Sequence, residues 1–288
     1  MVTKLALMFV LAVGAMFAQW PDYPSGGAAK KLEGPVPKAA DGLPDLTGVW
    51  GFRNPGRGQQ RLPGFPAPQA TIAQGAPPPE APRDALPLTP ANGPPNATFF
   101  DIGAGIKGGL PLLPKAAELL KSRAAEYGKD NPDAHCLPLG LTQLHMHPQP
   151  RKMIQTPGLI MILYEAQGGI RQIFTDGRPL PASDAQPWWY GYSAGKWDGD
   201  TLVVETNGFR DDVWLDVNGS PLTNTGKMTE RFRRTSFGNM EIDITIQDPS
   251  VYSKPFTVRV NQRIMIDTDL IEFMCGENER SVPHLVGK

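Results

Sequence analysis

From residue 151 onward, apolar and polar residues alternate in short runs broken by turn signals. Period-two alternation is the mark of a strand with one buried face. Residues 158–164 carry Leu-Ile-Met-Ile-Leu, and Gly168-Gly169 turns them into 170–174. Residues 190–197 face 201–206 across Asp198-Gly199-Asp200, a strong hairpin signal. Residues 227–234 and 240–246 follow on either side of Gly238-Asn239, and the second strictly alternates Met, Ile, Ile and Ile with polar residues. A last hairpin is predicted from 256–266 and 270–274 over Asp267-Thr-Asp269. Nine or ten strands joined mostly by hairpins predict an antiparallel meander, which removes its exposed edges by closing into a barrel. A two-sheet sandwich is the alternative.

Upstream the pattern changes. Nineteen of the 31 prolines fall between Pro21 and Pro114, and residues 54–95 show little apolar periodicity. Such a stretch lacks the apolar surface that offsets ordering entropy. It reads as a long irregular arm over 19–112, containing one strand near 46–52 around Leu46, Val49, Trp50 and Phe52. One helix is predicted over 114–127: Pro114 suits the first helical position, Ala116, Leu120, Ala124 and Tyr127 recur at helical spacing, and Gly128 stops it. The helix and the strands together form the unit 113–288.

The first residues have the layout of a secretory signal peptide over 1–18: a positive charge at Lys4, an apolar run over 5–18, and small residues before a cut after Ala18. That run is shorter than the roughly 20 residues a membrane-spanning helix needs, and no later segment is long enough either. The expected address is therefore periplasmic or extracellular. Net charge is −1, with 28 basic against 29 acidic residues, so no electrostatic footprint for nucleic acid exists. Cys136 and Cys275 are the only cysteines, and in an oxidising compartment one pair most simply forms a disulfide.

Two resemblances add to this. Gly48-Val49-Trp50 resembles the Gly-x-Trp that opens the first strand of lipocalin-like barrels. The resemblance implies a tryptophan packed across the closed barrel end, and a ligand cavity. Residues 133–279 resemble a family of exported bacterial proteins with no assigned activity. The similarity is carried by Gln172-Ile-Phe-Thr-Asp-Gly-Arg-Pro-Leu-Pro181, Gly191-Tyr-Ser-Ala-Gly-Lys-Trp-Asp-Gly-Asp200 and Thr229-Glu-Arg-Phe-Arg-Arg234. It implies export and nothing about chemistry.

Candidate chemistry is sparse. Gly191-Tyr192-Ser193-Ala194-Gly195 matches Gly-x-Ser-x-Gly, but a strand rather than a helix follows, so the serine would sit mid-strand and not at a nucleophile elbow. His145-Met146-His147 on an extended chain would turn both imidazoles to one side, with His135, Asp133 or Glu165 as a third ligand for a divalent metal. Asp216-Val-Asn218-Gly219 resembles the middle of a calcium loop and fails at both ends. Trp188, Trp189, Tyr190, Tyr192 and Trp197, with Trp214 shortly after, form an aromatic cluster suited to an apolar or sugar-like ligand. Glu165 and Arg171 flank the Gly168-Gly169 turn and would pair across it. The leading expectation is an exported protein that binds a small, partly apolar molecule in a barrel cavity through Trp188, Tyr190, Tyr192, Trp214, Glu165 and Arg171. The alternatives are an exported enzyme, metal-assisted or acid–base, and an envelope interaction module whose proline-rich arm meets a protein partner.

Overall fold

A computed structural model describes residues 32–55, 86–182, 184–211, 213–266 and 268–277. The expected leader over 1–18 and much of the proline-rich arm lie outside the described residues. In chain order the strands are β1 (Gly48–Phe52), β2 (Arg151–Thr156), β3 (Leu159–Tyr164), β4 (Ile170–Phe174), β5 (Tyr192–Asp198), β6 (Thr201–Asn207), β7 (Val213–Trp214), β8 (Pro221–Leu222), β9 (Lys227–Arg234), β10 (Asn239–Gln247) and β11 (Phe256–Ile264). Nine of them close into one barrel in the order β1-β11-β10-β9-β6-β5-β4-β3-β2, and β7 pairs with β8 outside it. The sandwich alternative is thereby excluded.

Alternation dictates what fills the barrel. Met228, Glu230, Phe232 and Arg234 of β9 are buried, as are Met240, Ile242, Ile244 and Ile246 of β10. On the outer face of β10, Glu241 pairs with Arg233 at 2.5 Å and Asp243 with Arg259 at 2.6 Å. Trp50 is fully buried, donates its indole N–H to the Leu46 carbonyl at 3.0 Å, and lies 4.9 Å below the Arg234 guanidinium.

One junction departs from a pure meander. β4 and β5 run parallel and share only two residue pairs, Ile173 with Ser193 and Phe174 with Ala194. A two-residue turn cannot join parallel neighbours, so the chain needs a crossover. Residues 175–191, with three prolines, supply it.

A second departure is the absence of a strand over 270–274. β11 is already hydrogen-bonded to β1 on one side and β10 on the other, so closure leaves no edge for it to join. Residues 268–277 instead form a strap over the barrel wall. Asp269 pairs with Lys152 at 2.9 Å, Ile271 N–H donates to Glu165 at 3.1 Å, and Cys275 is bridged to Cys136.

Among the described residues two α-helices accompany the strands. α1 (Pro114–Ala125) begins on its proline, buries only Ala116, and ends before Gly128, which takes a left-handed φ of 63°. α2 (Leu141–Met146) escaped the sequence reading because all six residues are buried, so no polar face betrays a helical period. Its Gln143 amide donates to the carbonyls of Trp214 and Asp216 at 3.2 and 2.8 Å, docking it on the β7–β8 hairpin. The Asp216 carboxylate in turn accepts from the backbone N–H groups of Ile102 and Ser220, each at 2.9 Å, and from the Ser220 hydroxyl. The segment that resembled a calcium loop thus organises a turn.

The disulfide closes a sequence separation of 139 residues. On the chain-entropy argument its removal costs about 2–5 kcal/mol. Urea unfolding of the oxidised protein and of the Cys136→Ser/Cys275→Ser variant should separate by that much; coincident midpoints would show that the strap contributes nothing to stability.

Candidate functional site

The barrel interior holds a connected polar cluster rather than a purely apolar core. Arg171 on β4 is an inward position and is 2% exposed. Its guanidinium meets both oxygens of Glu230 on β9, Nη1 reaching Oε1 at 3.0 Å and Nη2 reaching Oε2. Arg171 Nε also donates to the Ser193 hydroxyl on β5 at 3.1 Å, and Nη2 to Thr206 on β6 at 3.1 Å. His145 Nε2 lies 2.8 Å from Glu230 Oε1. An ionised carboxylate can only accept, so Nε2 carries the proton.

Burial would raise the Glu230 carboxyl, but the Arg171 charge and the hydrogen bonds from His145 and Arg171 outweigh it and hold the group at about 2. Burial dominates at His145 and lowers it against the pull of Glu230, so the imidazole stays neutral. Burial also opposes the Arg171 charge, yet Glu230 leaves it above its ordinary value. The Arg171–Glu230–His145 cluster is therefore electrically neutral. Ser193 shares its hydroxyl with Arg171 and Thr206, and among the described residues no base bonds it; this geometry is structural, not that of an activated nucleophile.

The back of this cluster is the floor of a pocket of about 340 Å³ at the β4–β5 seam. Arg171 and Ser193 lie at its base; Ile170, Gln172 and Phe174, the outward positions of β4, form one wall. The crossover contributes Trp188, Trp189, Tyr190 and Tyr192 opposite. Gly191 makes this possible: its φ is 64°, and an added Cβ would fall 2.6 Å from Thr206 and 2.8 Å from the Asn207 carbonyl. The turn there throws Tyr190 towards Tyr164, at 6.4 Å between rings, and stacks Tyr192 on Phe174 at 5.2 Å and 25°. Trp188 leans on Tyr192 at 5.5 Å and is 39% exposed. Arg178 caps Phe174 at 3.8 Å and is paired with Asp176 at 2.6 Å.

The structure thus brings together Trp188, Tyr190, Tyr192 and Arg171, and separates the rest. The pocket sits on the outer wall, not along the barrel axis. Trp214 is buried in β7 beneath the Arg123 guanidinium at 4.3 Å. Glu165 does not pair with Arg171; it faces the strap, because Arg171 points into the barrel while Glu165 follows the end of β3. The three histidines do not converge. Helix α2 runs through His145, so the extended geometry needed to align it with His147 does not exist. His147 packs edge-on against Phe99, and the His135 ring bonds the Lys129 carbonyl at 2.8 Å. Among the described residues no group of three His, Cys, Asp or Glu side chains is placed to hold a metal.

Sequence reasoning missed Ser193, Thr206 and Glu230 as partners of Arg171. One signal was available: Glu230 occupies the inward phase of β9 between Met228 and Phe232, whereas Glu205 occupies the outward phase of β6. Comparison with protein-family models, curated proteins and solved structures finds no match to this chain.

Two of the buried carboxylates, Glu230 and Asp216, tilt stability in opposite senses. Glu230 falls from 4.5 to about 2 on folding, so its contribution, roughly 3 kcal/mol, is fully present above pH 4.5 and is lost as pH falls towards 2. Burial raises Asp216 from 3.8 to about 6, so its contribution is present below pH 3.8 and lost as pH rises through 6. Unfolding midpoints measured from pH 2 to 7 should rise and then decline. Asp216→Asn should remove the decline, and Arg171→Met/Glu230→Leu, which avoids leaving a lone buried charge, should flatten the rise. Profiles parallel to wild type in both variants would refute these assignments.

Proposed function

We propose that this chain is an exported binding protein that holds a small, uncharged, partly apolar molecule in the pocket at the β4–β5 seam. The carrying observation is the convergence of Phe174, Trp188, Tyr190 and Tyr192 on one space of about 340 Å³. That volume lies within the usual range for small-molecule sites, and flat aromatic walls suit a planar ring or the apolar face of a sugar. The charge argument narrows the class. Arg171 at the base is neutralised by Glu230, and Arg178 against the Phe174 wall is paired with Asp176, which favours a neutral ligand over an ionic one. The exposed amide of Gln172 offers both a donor and an acceptor to orient a neutral ligand.

Export is supported by the leader-like layout of residues 1–18, by a disulfide that an oxidising compartment would preserve, and by the resemblance of residues 133–279 to exported bacterial proteins. Among the described residues no helix is long and apolar enough to cross a membrane.

Native mass spectrometry of untagged protein from its exported fraction should show a discrete added mass. Trp188→Ala and Tyr192→Ala should each weaken retention of that molecule about tenfold, a loss of roughly 1.4 kcal/mol, with unfolding midpoints little changed. Retention unaffected by both substitutions would remove the pocket from consideration.

A further inference from the structure

On the other side of Tyr164 lies a second cavity of about 330 Å³, between the end of β3 and the strap. Its walls are apolar: the Tyr164 ring, Leu270, Ile271, Phe273 and Met274. Ile271, Phe273 and Met274 are 68%, 39% and 63% exposed and lie within four residues of one another on the strap. Large apolar side chains left in water around a concavity mark a contact surface.

The cavity also contains a carboxyl group with no ion-pair partner among the described residues. Glu165 is only 9% exposed, and its carboxylate accepts from two neutral donors, Ile271 N–H at 3.1 Å and the Gln149 amide at 3.4 Å. Among the described residues no Lys, Arg or His forms an ion pair with it. The contrast with Glu230, fully buried and held by Arg171, is direct. A second carboxylate, Glu272 on the strap, lines the same space and makes no ion pair among the described residues. Burying a carboxylate is costly unless a cation or several strong donors compensate it.

The geometry points to a second binding site here, for a small organic cation with an apolar body: an ammonium or guanidinium on an alkyl or aromatic group. The cationic head would meet Glu165 and Glu272, while the apolar part would lie against Phe273, Met274 and the Tyr164 ring, whose face also attracts cations. The site accepts what the seam pocket excludes, since the seam pocket has no free carboxylate. It also exists only while the strap is in place. Cys136–Cys275, Lys152–Asp269 and the Glu165–Ile271 bond hold that wall. A free amine and the side chain of a lysine in a peptide share this chemistry.

The test is a titration of the full oxidised protein with 2-phenylethylammonium, with neutral 2-phenylethanol, and with a Phe-Lys peptide blocked at both ends, followed by the methyl signals of Ile271 and Met274. The cation should bind at least tenfold more tightly than the alcohol. Glu165→Gln, which keeps an acceptor for Ile271 N–H, should weaken it about tenfold, and Phe273→Ala or reduction of the disulfide should weaken it too. Tighter binding by the peptide would identify a protein side chain as the source, and tighter binding by the free amine a metabolite; either supports the site. Trp188→Ala should leave cation binding unchanged, which separates this site from the seam pocket. Equal binding of cation and alcohol, no loss in Glu165→Gln, or no saturable response to either cation up to about 10 mM would overturn the proposal.

Discussion

Arg171 leaves β4 pointing into the barrel, and Glu230 crosses from β9 to meet it with both carboxylate oxygens. This contact sits where the barrel wall is thinnest. The parallel seam of β4 and β5 has only two backbone residue pairs, against eight between β9 and β10. Arg171 spans the seam by bonding Ser193 on β5, reaches Thr206 on β6, and ends on β9, so one side chain ties together four strands. His145 brings α2 into the same unit. A buried ion pair of this kind is poor as a source of net stability, because desolvation offsets most of the Coulomb gain. Its worth is in allowing one arrangement of strands: a slipped register would leave a bare charge in the interior.

The seam explains the pocket. An antiparallel hairpin at β4 would have sealed the wall along its whole length, whereas the crossover joins β5 for two pairs and then peels away. The strand face it exposes is lined by the outward residues of β4, and the crossover returns with aromatic rings to cover it. The floor is neutral because Arg171 and Ser193 are already bonded to Glu230 and Thr206. Apolar walls on a neutral floor set a different ligand class from the strap cavity, where Glu165 and Glu272 make no ion pair among the described residues. Two concavities on opposite sides of Tyr164 thus differ in chemistry through the carboxylates that line one of them and not the other.

Much of this was legible from residues alone. The alternation in β9 and β10, the Asp-Gly-Asp hairpin and the Pro114 helix start all appear where local patterning placed them, because each depends on neighbours in sequence. Helix α2 was not legible, since a helix buried all round carries no amphipathic signature. Neither was the fate of residues 270–274, whose composition suits a strand but which find both edges of β11 taken. Of the aromatic cluster, Trp188, Tyr190 and Tyr192 converge, while Trp214 is claimed by Arg123.

By itself, then, the sequence determined a β-rich chain whose closure follows from many short alternating strands, with an isolated cysteine pair able to bridge and a dense run of aromatic residues near the middle. These are properties of period, composition and turn chemistry, which act over a few residues. The tertiary structure alone decided which charge meets which. Arg171 stands six residues from Glu165 in the chain, yet its partner is Glu230, 59 residues away. The reason is directional: strand alternation sends Arg171 inward, the barrel brings β9 across from it, and Glu165 is left facing the strap.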